Sequence, residues 1–237
     1  MESSELFRKH SHCIFASKAQ FWPSSHIWDE ESTIEDNVTK YLPSLDKYIE
    51  HLNDTIINKK IPIDSFVIEA PASIYSQSMD DVAEWLHRVL FKISPECIEE
   101  VQSLIPKENG AYIDTGWSFR YANIAFFVLT TTPLYTESHS RFCGGNSQDK
   151  VIMHLQPMYS FEYHFSQSKL GSEWDIINKI RNTFKKFGRD YKQDFPHTVT
   201  ENTNNRLHEA PKYLKPLNKN DSIITWWKYP VNFVFKK

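Results

Sequence analysis

Hydrophobic residues recur at helical spacing in three segments of the chain, and each segment opens at a capping signal. Ser-Thr-Ile-Glu at 32–35 fits a capping box, and Ser78 and Ser172 are candidate N-caps. The apolar positions of the three helices are Val38, Leu45, Ile49, Leu52 and Ile56, then Val82, Leu86, Val89 and Ile93, then Ile177, Ile180, Phe184 and Phe187. Pro43 is expected to bend or restart the first helix, and a shorter helix is expected around 96–104.

Short apolar or alternating runs predict the strands. They lie at 66–70, 117–121, 124–129, 151–155 and 161–165. The second and third runs face each other across Ala122-Asn123 as a hairpin. A polar loop is expected over 132–149 and an irregular C-terminal wrap from about residue 190. The order of the elements predicts an α+β fold, with a central, mostly antiparallel sheet packed with helices in a single domain over residues 1–237.

Composition excludes several classes of protein. The net charge of −3 gives no electrostatic reason to expect nucleic acid or an anionic membrane as a partner. Cys13, Cys97 and Cys143 are widely spaced, which predicts neither a disulfide framework nor a structural zinc site. No signal peptide and no apolar run long enough to span a bilayer are found, so we expect a cytoplasmic protein. The GxGxxG, Walker, GxSxG and HExxH motifs are missing.

The N-terminal sequence His-Ser-His-Cys at 10–13 places three soft or borderline metal ligands within four residues, just before the aromatic pair at 21–22. A thiolate or a neutral imidazole is the usual protein ligand of haem iron. Cys13 is therefore a candidate haem ligand, or else an ordinary packed thiol. His10 and His12 are alternative ligands, or surface residues.

Eight short elements occur in a fixed order along the chain. They are Cys-Ile-Phe-Ala at 13–16, Pro-Ser-Leu at 43–45, Phe-Val-Ile at 66–68, Glu-Trp-Leu at 84–86, Ala-Phe-Phe-Val at 125–128, Ser-Arg-Phe at 140–142, Leu-Gln-Pro at 155–157 and Phe-Glu at 161–162. In this order the chain resembles the YqcI/YcgG-type family, which includes haem-dependent N-hydroxylases of guanidine and amine groups. The chain departs from the family pattern at Ile14, where Pro is usual, and at Met158, where His is common.

The resemblance implies a haem-dependent monooxygenase, an oxidoreductase that binds haem b (iron protoporphyrin IX). Cys13 would be the fifth iron ligand, with His12 as the alternative. The implied reaction is N-hydroxylation of a small amine or guanidine by O2 and two electrons from an external donor. A thiolate ligand suits this reaction because it pushes electron density onto iron and favours O–O cleavage.

The resemblance also suggests roles for five other side chains. Phe15 is expected to pack beside the porphyrin. Ser140 and Arg141 are expected to bind haem propionates or a substrate carboxylate, and Arg120 to lie against a propionate or to face solvent. Glu162 is a candidate for holding a cationic substrate, or a solvent-facing strand residue. His139 is a candidate distal acid or axial ligand, or an ordinary loop residue. His154 and His164 lie on predicted strands, and His154 is expected to be an ordinary packed or exposed residue.

Two alternatives to the enzyme stay open. One is a haem-binding sensor or carrier without turnover, which would share the iron ligand but not respond to substrate. The other is a non-haem protein that binds a small ligand, in which Cys13 simply packs. An absorption spectrum of the purified protein separates the haem-binding hypotheses from the last one.

Overall fold

A computed structural model of the chain describes residues 3–23, 26–103, 117–144, 148–168, 171–189, 210–218 and 220–229. The helices in these ranges are α1 Ser3–His10, α2 Ile34–Ile57, α3 Ala72–Tyr75, α4 Met79–Ile93, α5 Pro95–Ser103, α6 Met158–Gln167, α7 Glu173–Lys186 and α8 Ala210–Tyr213. The strands are β1 Phe66–Pro71, β2 Phe119–Tyr121, β3 Ile124–Thr131 and β4 Lys150–Pro157. Two short 3-10 helices lie at Ala16–Lys18 and Trp226–Lys228.

The four strands form one antiparallel sheet in the order β1-β4-β3-β2. Strand β4 lies between β1 and β3, so that Leu155 pairs with Phe66 on one side and with Val128 on the other. The hairpin between β2 and β3 turns at Ala122 and Asn123, which both have positive φ, as a tight two-residue turn requires. Helices pack around this sheet, and the predicted α+β class is confirmed.

Helix starts follow the capping signals closely. At α4 the Ser78 Oγ accepts from the Asp81 N–H at 3.2 Å, and the Asp81 carboxylate accepts from the Ser78 N–H at 2.8 Å. Ser172 and Asp175 form the same reciprocal pair at α7. At α2 the N-cap is Thr33, one residue later than the predicted capping box. Helix α2 continues through Pro43, so the predicted restart does not occur.

The two faces of the sheet have different coverings. Alternate residues of β3 and β4, such as Phe126 and Met153, pack with α2, α4 and α5 into the main hydrophobic core. The opposite face carries Phe127 and Leu129 of β3 and His154 and Gln156 of β4. On that side Leu6 and Phe7 of α1 form a smaller cluster with Ala16 and Cys143. The cavity described below lies on this second face.

One predicted strand is wrong. Residues 161–165 belong to helix α6, which begins directly after Pro157 at the end of β4. The alternation of Phe161, Tyr163 and Phe165 suggested a strand, but Phe161 and Phe165 are also four apart and their rings lie 6.4 Å from each other on one side of the helix. The helical spacing brings Ser160 and His164 onto one face.

The C-terminal part is only partly described. The predicted irregular wrap over 190–209 and the last residues from 230 lie outside the described residues. In the described part, Trp226 and Trp227 are buried in the main core. The Tyr213 hydroxyl accepts from the Phe119 N–H and donates to the Phe126 carbonyl, so α8 is tied to the β2–β3 hairpin. No helix in the described ranges is both long enough and apolar enough to cross a membrane.

Packing of α2 on the sheet predicts a strong contrast between two substitutions in this helix. Leu45 is fully buried in the main core, whereas Ile57 is 78% exposed at the helix end. Leu45→Ala should lower the free energy of unfolding by about 2–5 kcal/mol, because it removes buried methyl groups and leaves a cavity. Ile57→Ala, the matched control, should change it by less than about 0.5 kcal/mol. Urea unfolding followed by tryptophan fluorescence measures both, and equal losses would contradict this assignment of the core.

Candidate functional site

A cavity of about 160 Å³ lies between the second sheet face, the segment that follows α1, and helices α6 and α7. It is partly open to solvent. An engineered apolar cavity of about 150 Å³ binds benzene, so the enclosed part has room for a single ring. Six aromatic side chains line it, namely Phe7, Phe15, Phe127, Phe142, Phe161 and Phe184.

Cys13 lines this cavity. The backbone N–H groups of Phe15 and Ala16 favour the thiolate form of its side chain, and the Ala16 N–H donates its hydrogen bond to the Cys13 carbonyl at 3.0 Å. Burial raises the pKa of the Cys13 thiol, and the two N–H groups only partly offset this, so the thiol is protonated at neutral pH. A bound metal cation would lower the pKa of the thiol again, because it favours the thiolate form, which the two N–H groups also favour.

Arg141 provides the cationic end of the cavity. It is 4% exposed, and its guanidinium Nη2 donates to the Lys212 carbonyl at 2.7 Å. Its guanidinium also lies 5.5 Å from the centre of the Phe127 ring. The Arg141 Nε is buried and makes no hydrogen bond to any residue in the described ranges. Ser140, beside it, lines the cavity and accepts from the Nζ of the buried Lys215 at 2.9 Å.

Asp64, Ser160 and His164 form a hydrogen-bonded group elsewhere on the cavity wall. The Asp64 Oδ1 accepts from the Ser160 hydroxyl at 2.5 Å and from the His164 Nε2 at 2.7 Å. Its Oδ2 accepts from the Gln20 N–H at 2.8 Å. Burial favours a higher pKa for the Asp64 carboxyl, but the hydrogen bonds from His164, Ser160 and Gln20 outweigh it and lower the pKa. The carboxylate is therefore well compensated.

A second thiol, that of Cys143, also lines the cavity. Burial raises its pKa to about 12, so it is a protonated packing residue in the protein alone. All three cysteines are free. Within the described residues no group of three or more His, Cys, Asp or Glu side chains is arranged to hold a metal ion. The donor set is therefore unlike a structural zinc site.

Four of the predicted site residues lie together, because Cys13, Phe15, Ser140 and Arg141 all line the same cavity. The predicted polar loop over 132–149 thus carries a buried serine and a buried arginine beside exposed side chains such as Glu137.

Two predicted site residues do not lie there. Arg120 is on the edge strand β2, where its Nη2 pairs with Glu100 of α5 at 2.6 Å. Glu162 is exposed on α6, and its neighbours Phe161 and His164 line the cavity instead. The two residues are outside the cavity for different reasons. Arg120 lies on an edge strand of the sheet, and the helical period of α6 turns Glu162 outward.

The proposed alternative ligands are engaged elsewhere. The His12 ring stacks on Phe187 with centroids 4.0 Å apart, and the His10 ring contacts Phe142 edge-on. The His139 Nδ1 accepts from the Arg141 N–H, so its Nε2 carries the proton and donates to the Pro216 carbonyl at 3.1 Å. Neither His10, His12 nor His139 lines the cavity.

The sequence predicted no role for Asp64 or Ser160, and it placed His164 on a strand rather than on a helix. Asp64 precedes β1 and belongs to no motif. For Ser160 and His164 a signal existed: they are four residues apart directly after Pro157, and proline is common at helix starts. Recognising that helix would have placed both side chains on one face.

Comparisons with protein-family models, with curated proteins and with solved structures found no match to this chain. The resemblance to the YqcI/YcgG-type family therefore stays a hypothesis.

A buried histidine behind the cavity predicts a pH effect on stability. His154 is fully buried against Phe7 and Phe21, and its Nε2 makes no hydrogen bond to a described residue. Burial, with a smaller contribution from the Arg141 charge, lowers the pKa of His154 to about 3. Below its ordinary pKa of 6.5 the unfolded chain binds this proton and the folded protein does not. Stability is therefore lost as the pH falls from about 6.5 toward 3.

Replacing His154 should reduce the loss of stability at low pH. Between pH 6.5 and pH 4.5 the wild type should lose about 2 kcal/mol more unfolding free energy than His154→Gln, since one pKa unit corresponds to about 1.4 kcal/mol. Urea unfolding at several pH values measures the difference. Parallel pH profiles for the two proteins would contradict a neutral, desolvated His154.

Proposed function

We propose that the protein is a haem-dependent monooxygenase that N-hydroxylates a small amine or guanidine. The observation that carries the proposal is the position of Cys13, which lines the same aromatic cavity as Ser140 and Arg141. The backbone N–H groups of Phe15 and Ala16 oppose the effect of burial on its thiol and so favour a ligating thiolate. When bound, haem supplies the activation of O2, with electrons from an external donor.

The donor chemistry of the cavity fits haem. Two cysteines, Cys13 and Cys143, line it, and no group of three or more metal-binding side chains is found in the described part of the chain. We propose Cys13 as the ligand, since a single protein thiolate can hold haem iron. Phe15 would pack on the porphyrin, and Arg141 and Ser140 would hold a propionate by charge and hydrogen bonding.

The size of the cavity sets a condition on this proposal. A porphyrin is several times larger than benzene, whereas the enclosed part is about 160 Å³. Haem therefore fits only if it extends through the open side of the cavity.

The substrate nitrogen requires an acidic partner, and Asp64 is better placed for this than Glu162. Asp64 lines the cavity and is held in its charged form, with His164 hydrogen-bonded beside it. A carboxylate in a partly desolvated wall attracts an ammonium or guanidinium group. His164, through its second ring nitrogen, would then exchange a proton with the bound amine.

The three free thiols suit a reducing compartment, so the proposal places the enzyme in the cytoplasm.

A second candidate is a non-haem protein that binds a small ligand. The enclosed volume favours it, because a single ring fits without any rearrangement. In that case Cys13 is a packed thiol, and the raised pKa of its side chain agrees with this role.

An absorption spectrum tests the two candidates. Protein purified from haem-replete cells, or mixed with hemin, should show a Soret band whose CO-bound ferrous form is that of thiolate ligation. Cys13→Ala should abolish the thiolate signature, because no other cavity thiol is proposed to reach the iron. Addition of amines or guanidines should shift the spectrum of an enzyme and leave that of a sensor or carrier unchanged.

Two matched variants control this experiment. Cys143→Ala removes the other cavity thiol, and His12→Ala removes the alternative ligand, so both should keep the thiolate signature. Colourless protein that does not bind hemin would remove the haem proposal. A thiolate spectrum that persists in Cys13→Ala would remove the ligand assignment alone.

A further inference from the structure

We infer that Arg141 forms a carboxylate-binding subsite in the cavity, suited to an aromatic ligand with a single ring and one negative charge. Of the described residues lining the cavity, Arg141 is the one whose charge lacks an anionic partner. This inference does not need haem to occupy the cavity.

The Arg141 guanidinium has only neutral partners among the described residues. Its partners are the Lys212 carbonyl and the face of the Phe127 ring, and both are neutral. The Nε is buried without a hydrogen bond, although arginine side chains at 4% exposure normally have such donors satisfied. An unpaired buried charge costs free energy, and an incoming anion recovers it.

The other charged groups on the described cavity wall have partners of their own. Asp64 accepts three hydrogen bonds, from Ser160, His164 and the Gln20 N–H, so its charge is already compensated. The carboxylate of Glu162 lies outside the cavity. Arg141 therefore has no carboxylate partner among the described residues that line the cavity.

The Ser140 hydroxyl is a second donor for the same anion. The Ser140 Oγ accepts from the Lys215 Nζ at 2.9 Å, so its own hydroxyl proton is directed away from Lys215. Ser140 and Arg141 both line the cavity. A carboxylate bound there would receive a guanidinium N–H and a serine O–H.

The apolar part of the cavity wall suits an aromatic ring in the rest of the ligand. Six phenylalanine rings line the cavity, and its enclosed volume of about 160 Å³ is close to the size that binds benzene. Aromatic rings pack on one another edge to face or offset-stacked. A benzoate-sized acid satisfies the apolar walls and the unpaired guanidinium together. A haem propionate offers the same carboxylate, so the experiment has an arm for each source.

In the first arm, calorimetric titration of the haem-free protein compares benzoate with benzamide, its neutral analogue of the same shape. Benzoate should bind at least about 10-fold more tightly, because a charge-assisted hydrogen bond replaces a neutral one. Arg141→Gln should weaken benzoate binding by about 10- to 100-fold and leave benzamide unchanged. Arg141→Lys keeps the charge but not the planar group, and should give an intermediate loss.

Arg120→Gln is the matched control, because Arg120 pairs with Glu100 outside the cavity. It should bind benzoate like the wild type. Should Arg141→Gln fail to fold, the benzoate and benzamide comparison on the wild type still decides.

In the second arm, hemin is compared with hemin dimethyl ester, which lacks both carboxylates. If hemin binds more tightly than the ester, and only in proteins that keep Arg141, the propionate is a source of the bound carboxylate. Equal affinity for the charged and neutral members of both pairs would overturn the subsite. Equal losses in Arg120→Gln and Arg141→Gln would overturn it as well.

Discussion

The geometry of the cavity depends on the guanidinium of Arg189, which joins three separate segments. Arg189 is 3% exposed, and it donates from Nε to the Glu137 carbonyl at 2.8 Å and from Nη1 to the His10 carbonyl at 2.7 Å. Its guanidinium also lies over the Phe142 ring. Hydrogen bonds from a charged donor are about twice as strong as neutral ones. Arg189, which follows α7, thus holds two segments of the site in place. One is the end of α1, just before Cys13, and the other is the loop after β3, which carries Ser140 and Arg141.

Desolvation then decides which groups around the cavity keep a charge. Burial shifts the pKa values of Cys13, Cys143 and His154 in the directions that favour their neutral forms. Arginine is always charged, and the Asp64 carboxyl keeps its charge through its hydrogen bonds. The site therefore contains one compensated anion and one uncompensated cation in a medium of low dielectric constant. In such a medium electrostatic attraction to a ligand is several times stronger than in water.

Local signals predicted much of the fold because the structure uses them locally. The serine caps at Ser78 and Ser172, the hairpin turn at Ala122-Asn123 and the alternating strands all depend on a few neighbouring residues. The aromatic residues at 161, 163 and 165 alternate as in a strand, and the four-residue spacing of 161 and 165, which also fits a helix, was overlooked. The cavity was harder to predict. Asp64 and His164 are 100 residues apart, and only the tertiary fold brings them together.

The two proposed ligands make different demands on the segment that carries Cys13. A single ring needs no movement, whereas a porphyrin must extend through the open side. Within the described residues, the backbone groups of residues 11–16 form hydrogen bonds to partners within 7–19, such as Ser11 N–H to the Phe7 carbonyl and Ala16 N–H to the Cys13 carbonyl. The ends of this segment are fixed by Arg189 at His10 and by Asp64 at Gln20. A local turn between two fixed ends can shift as a unit without breaking sheet contacts. This segment is therefore the wall that would yield to a larger ligand.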